Sequence, residues 1–163
     1  MDVAENVSRK SGSRHLTFAG TLTMSKEQNL AALGKFAEAV NTRNFDLFRE
    51  AVAADNVDHD PAPDQGPGPE GYRTFFSAMT KAFPDMKVGL ETMVADEDSI
   101  AFAYTLTGTQ QGSLMGIPPT GKKVSIRGVQ ISKFKNGKMV ERWGSSDELG
   151  MLQQLGVLAL ASA

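Results

Sequence analysis

Two short stretches hold the residues best suited to chemistry. "VDHDP" (57–61) sets His59, one of only two histidines, between Asp58 and Asp60. A carboxylate beside an imidazole can orient the ring, and such a pair can act as a general base. The same five residues also suit a turn, because Asp-Pro is a common turn opener. "ERWGSSD" (141–147) gathers Glu141, Arg142, the single tryptophan Trp143 and Asp147 within seven positions. Such a segment is either a solvated strand with an ordinary helix cap or one wall of a polar-tipped apolar pocket. Asp147 is first of all an N-cap, worth ~1 kcal/mol. Its expected further role is to position Arg142 or His59, with His59 the proton carrier. The candidate catalytic residues are therefore His59, Asp147 and Arg142.

Other chemistries are excluded by what the chain lacks. There is no cysteine, so thiolate catalysis, thiolate metal sites and disulfides are out. One histidine among loop aspartates is not a preorganised ligand set, and no metal is expected. "GPGPEG" (66–71) has the wrong spacing for a phosphate loop and is stiffened by proline. A formal net charge of -2 gives no field favouring nucleic acid or an anionic membrane. No apolar run approaches the ~20 residues of a membrane span. The expected partner is a small apolar molecule, with a cytoplasmic location by default.

The elements that must position these residues follow from periodicity. Residues 1–23 are polar, interrupted by Arg9, Lys10 and Arg14, and are expected to be a mobile extension. Residues 24–163 are expected to form one domain. Ser25 with Gln28 fits a capping box, and Leu30, Leu33, Ala37 and Val40 follow at helical spacing. "FDLFREAVA" (45–53) predicts a short second helix. "DNVDHDPAPDQGPGPEG" (55–71) predicts a loop with a brief extended piece near Val57. A third helix then opens at Pro69 and carries Tyr72, Phe75, Phe76, Met79 and Phe83.

Beyond Asp85 the period changes to two, and four strands are expected in a meander. The last two are joined by the Asn-Gly turn "KNGK" (135–138), and a closing helix runs from Asp147 to Gly156. Phe102, Tyr104, Leu106, Gly108 and Gln110 share one strand face, and Ile126, Gly128, Gln130 and Ser132 share another. Buried amides on apolar faces need partners, so Gln110 and Gln130 are candidate ligand groups. The expected pocket is lined by Phe102, Tyr104, Gln110, Gln130 and Trp143. Phe76 is added from the third helix, and Met115 from the loop "SLMGIPPTGK" (113–122) at its mouth. On the last strand Glu141 and Trp143 share one face and Arg142 and Gly144 the other. Periodicity leaves open which of the two points inward.

"GPEGYRTFFSAMTKAFPDMKV" (68–88), "GSLMGIPPTGKKVSIRGVQISKFKNGKMVERWGSSDELGMLQQLG" (112–156) and "VDHDP" together resemble the SnoaL-like polyketide cyclase, or ester cyclase, group of the nuclear-transport-factor-2-like superfamily. The resemblance runs from about residue 24 to residue 156. It implies an α+β cone-shaped barrel, a curved antiparallel sheet wrapped around N-terminal helices, and a homodimer built on the open sheet face. It also implies intramolecular aldol condensation without a cofactor. The group's acidic residue near the end of the last strand falls on Gly144, and its assisting histidine on Gln130. Neither can transfer that proton, so the base is expected to have moved to His59 or Asp147. The expected function is a cofactor-independent cyclase, of lyase or isomerase type, acting on an apolar carbonyl-bearing molecule. Two alternatives stand beside it. One is a non-catalytic binding or dimerisation module. The other is an epoxide-hydrolase-like enzyme using Glu141, Arg142 and Asp147.

Overall fold

A strand in which every second residue is apolar or small makes a sheet with one dry and one wet face. Lys123–Lys135 obeys that rule over all 13 of its residues, with Val124, Ile126, Gly128, Gln130, Ser132 and Phe134 buried. The computed structural model describes residues 15–158, with side chains from residue 25 onward. Its elements, in chain order, are α1 (His15–Thr42), a 3-10 turn (Phe45–Leu47) running into α2 (Phe48–Ala51), β1 (Val52–Asp58) and α3 (Gly68–Ala82). There follow β2 (Lys87–Ala95), β3 (Ser99–Thr109), β4 (Lys123–Lys135), β5 (Lys138–Ser146) and α4 (Glu148–Leu155).

The sheet order is β1-β5-β4-β3-β2. Strands β2 to β5 form the expected antiparallel meander. β1 adds a parallel edge to β5, with Val57 opposite Glu141 and Asp58 opposite Arg142. The fold is α+β as expected, but its curved sheet is mixed and remains open. Register shifts at Leu90/Thr92 and Lys133/Phe134 mark bulges, which sharpen local twist and help the sheet curl.

Local chemistry explains most boundaries. The β4–β5 turn has Asn136 at φ 53° and Gly137 at φ 69°, the pair of positive angles that a tight hairpin with right-handed twist requires. Asp147 caps α4 by accepting from the Gly150 N–H at 2.8 Å, and Gly156 ends it at φ 75°. The capping box expected at Ser25 is not a helix start. α1 begins ten residues earlier, at His15, so residues 15–23 continue the helix. Residues 1–14 of the expected extension lie outside the described residues. Among the described residues no helix is long and apolar enough to cross a membrane.

The core lies between the concave sheet face and the helices. Phe36 meets Phe48 at 4.9 Å, Tyr72 at 5.2 Å and Phe76 at 5.9 Å between ring centroids, joining α1, α2 and α3. Tyr72 also ties α3 to the sheet. Its hydroxyl donates to Asn56 Oδ1 at 3.2 Å, and Asn56 Nδ2 donates to the Met139 carbonyl at 3.2 Å.

Burial pushes the Tyr72 pKa up, and the negative charge of Asp58 pushes it further. The unfolded chain loses this proton near pH ~10 while the folded chain keeps it, so stability is full below that pH and falls above it. Melting temperature should therefore decline as pH rises above about 10. Tyr72→Phe should flatten that decline while losing about 1 kcal/mol at neutral pH. Parallel melting curves for the two proteins would remove Tyr72 as the cause.

Candidate functional site

Register assigns each candidate to a side of the sheet. Ser132 pairs with Arg142 and Gln130 with Gly144, so Arg142 and Gly144 share the concave face. Lys133 pairs with Glu141 and Ile131 with Trp143, which puts Glu141 and Trp143 on the outer face. β1 repeats the division: Asp58 lies beside Arg142, and His59 projects to the other side.

On the concave face Arg142 is held from several directions. Its Nη1 donates to Asp58 Oδ1 at 2.9 Å and Oδ2 at 3.1 Å, and to the Asp60 carbonyl at 3.1 Å. Its Nε donates to Gln130 Oε1 at 3.2 Å, and Gln130 Nε2 donates to Ser132 Oγ at 2.8 Å. Asp58 is fixed in turn by Gln65 Nε2 at 3.0 Å and by the Asp60 N–H at 3.1 Å. Asp60 Oδ2 accepts from the Gly144 N–H at 3.0 Å. The pair is largely removed from water, with 16% of the Arg142 side chain and 9% of Asp58 exposed. Among the described residues Nη2 has no hydrogen-bond partner.

Aromatic side chains adjoin this cluster. Phe102 lies opposite Gln130, and Tyr104 lies opposite Gly128. The Tyr104 ring crosses Gly128, where a methyl group would stand 2.5 Å from Oη. Burial pushes the Tyr104 pKa up, and the Arg142 charge nearby pulls it partly back. Leu90 pairs with Tyr104 and Met93 with Phe102, and they are 53% and 43% exposed. The concave face is thus open toward β2.

The other expected site residues lie elsewhere. His59 stacks on Trp143 at 4.3 Å and 5° on the outer face, with Nε2 3.1 Å from Glu141 Oε2. Neither flanking aspartate orients its ring; Glu141 does. Lys133 Nζ sits 5.5 Å from the Trp143 ring centroid. Trp143 therefore does not share a wall with Gln130. Asp147 caps α4, its carboxylate accepting from the Gly150 N–H, and it makes no hydrogen bond or ion pair with Arg142 or His59. The set Glu141, Arg142 and Asp147 is not assembled, because alternation sends Glu141 and Arg142 to opposite faces. Gln110 is fully buried, but its amide serves the 111–122 loop. Nε2 donates to the carbonyls of Gly112, Ile117 and Pro118, and Oε1 accepts from Thr120 N–H and Oγ1. Met115 is 70% exposed at the tip of that loop, and Phe76 packs in the core beside Phe48 at 5.6 Å.

A model of the SnoaL-like polyketide cyclase family matches residues 31–155. The chain belongs to this family. It is 26% identical over 129 residues to aklanonic acid methyl ester cyclase DauD of Streptomyces sp. (strain C5), covering 75% of this chain and 78% of the relative. Among solved structures, wild-type IdmH of Streptomyces antibioticus superposes with a TM-score of 0.70 at 30% identity, covering 79% of this chain and 99% of that one. TsrD of Streptomyces laurentii shares the fold, with a TM-score of 0.75 at 24% identity and coverage of 82% and 98%. In this SnoaL-like chain the guanidinium of Arg142 lies over the bare Gly144, where a methyl group would stand 2.6 Å from its Cζ. The resemblance puts an acidic side chain at Gly144; here a cation fills the space.

Gln65 was not singled out by sequence, Asp60 was noted only beside His59, and Ser132 only as a member of a strand face. Asp58 drew notice only as a neighbour of His59, since no periodicity shows that it is Asp58 that faces Arg142. An arginine sharing a strand face with a glycine beside an amide-bearing strand was the one available signal.

Proposed function

We propose that the chain is a cyclase-type enzyme that takes an apolar, carbonyl-bearing molecule onto its concave face and closes a carbon–carbon bond within it. The observation that carries this is the part-buried Arg142–Asp58 pair, which leaves one guanidinium nitrogen unpaired over Gly144, on the face that Tyr104 shares. Membership of the SnoaL-like family and the cyclase names of the curated relatives support it.

The chemistry needs a place for negative charge. A carbon flanked by carbonyls loses a proton, and the charge moves to a carbonyl oxygen that Nη2 can hold. A fixed donor in a partly dry site is worth far more than the same donor in water. The enolate carbon then attacks a second carbonyl of the same molecule, and the resulting alkoxide takes the proton back. Atoms balance, so substrate and product are isomers. His59 faces away and both Asp58 oxygens are bound, so in this reading Asp58 holds Arg142 in place and the travelling proton passes through water at the open side of the face. The homodimer that the resemblance implies belongs to the same proposal. A second copy would cover the outer row of Val94, Ala101, Ile131 and Trp143, where Val94 is 71% and Ile131 50% exposed.

Aklanonic acid methyl ester and simpler aryl β-keto esters are the first substrates to try, with chromatography for a product of unchanged mass. Arg142→Gln should lower turnover by about a hundredfold with the fold retained by circular dichroism. Undiminished turnover in that variant would remove Arg142 from the chemistry, and the reading with it.

A further inference from the structure

Two long polar side chains lie across adjacent glycines on the concave face, one arriving from each side. Tyr104 on β3 reaches over Gly128 on β4 toward Ser146 on β5, which pairs with Gly128. Arg142 on β5 runs along its own strand over Gly144. Gly144 and Ser146 are two residues apart on one face, about 7 Å along the strand. With Tyr104 Oη over Gly128 and the guanidinium over Gly144, one diagonal step away, a single oxygen at about 2.8 Å from each donor can lie between them. We infer that Tyr104 Oη and Arg142 Nη2 together form a two-donor hole for an oxyanion, seated on Gly128 and Gly144.

This deepens the proposed function and rests on it, since it assumes that the concave face is the binding surface. It adds Tyr104 as a second group touching the reacting oxygen, and it specifies the ligand class as an aryl or alkyl enolate, phenolate or similar soft oxyanion. The phenol is equipped for the task. Burial holds its proton on, and the Ser146 side chain lies close enough to favour the phenolate as a donor would. With Ser146 as the donor, the phenol's proton is left for the ligand. Arg142 is equally prepared, because Asp58, Asp60 and Gln130 occupy Nη1 and Nε and leave Nη2 without a partner where it lies over Gly144. Other ionisable groups on this face are already engaged. Asp58 is neutralised by Arg142, Asp60 Oδ2 is bound to the Gly144 N–H, and Tyr72 is bonded to Asn56. The two glycines have a defined role: side chains at 128 or 144 would displace the phenol or the guanidinium.

The test uses 6-nitro-2-naphthol, an apolar phenol whose anion absorbs at longer wavelength than its neutral form. Titrated with wild-type protein at a series of pH values, the bound phenol should be at least about tenfold more acidic than the free one. Tyr104→Phe and Arg142→Gln should each return most of that gain while still binding the naphthol. Gly144→Ala should do the same although both donors remain, because the methyl group unseats the guanidinium. A merely structural role would alter melting temperature and leave the bound acidity alone. Binding with unaltered acidity, or a gain that survives Tyr104→Phe, overturns the hole but leaves the concave face as a binding surface. Absence of binding at millimolar naphthol overturns both.

Discussion

Replacing Asp58 with alanine should destabilise the protein by about 3–5 kcal/mol, because it leaves the Arg142 charge buried without its counter-ion. The expectation rests on burial, with 9% of Asp58 and 16% of Arg142 side-chain surface exposed. The exposed pair Arg49–Glu70, at 65% and 58%, should contribute only about 0–1 kcal/mol by comparison. Asp58→Asn keeps an acceptor for Arg142 and should fall between wild type and alanine. The decisive variant is the double replacement Asp58→Ala with Arg142→Met. It removes both charges and restores apolar volume, so it should lose less than Asp58→Ala alone. Urea unfolding of wild type, Asp58→Ala, Arg142→Met and the double variant completes the cycle. If the double variant is as unstable as the sum of the singles, the two residues do not act as a pair. The same series bears on function. Both Arg142→Gln and the double variant should lower turnover by about a hundredfold, and the double variant would do so with most of its stability kept.

The pair also shows where sequence reading stops. Alternation in β4, the Asn136–Gly137 turn and the Asp147 cap were all visible, because each depends on residues within one turn or one strand. The motifs at 68–88 and 112–156 pointed to the family fold. What stayed hidden depends on partners far apart in the chain. β1 reads "VAADNVD", poor in strand formers, and it exists because β5, some 84 residues later, pairs with it. That pairing decides that Asp58 faces inward and His59 outward, a choice of one residue that reverses the assignment of the base. β5 hid its own phase. The bulge at Lys133/Phe134 lets Met139 and Arg142, three residues apart, both face inward, so no strict two-residue rule could orient Trp143.

Gln110 supplies the second large effect. It was expected to face a ligand, yet its amide holds the 111–122 loop in place through three donated and two accepted hydrogen bonds. The loop contains Pro118 and Pro119 and turns through Met115 at φ 50°, Gly116 at φ 81° and Gly121 at φ 68°. Its own pairing is limited to one bridge, in which the Leu114 and Ile117 N–H groups donate to each other's carbonyls at 3.0 and 2.7 Å, and the Gly112 and Pro118 carbonyls are left to Gln110. Gln110→Ala should therefore cost about 3 kcal/mol, through unpaired carbonyls and a buried cavity. Gln110→Glu separates these causes, since it keeps the shape and the acceptor for Thr120 but turns a carboxylate oxygen toward the carbonyls of Gly112, Ile117 and Pro118. At pH 7 it should be at least as damaging as alanine. As pH falls the acid gains a proton it can donate to one of those carbonyls. Its deficit relative to wild type, measured at each pH, should then shrink. A glutamate variant as stable as wild type at pH 7 would mean that the donated bonds do not hold the loop. A deficit that shrinks with acid would show that the donated bonds hold the loop, and it would answer why a fully buried amide stands at the end of an apolar strand.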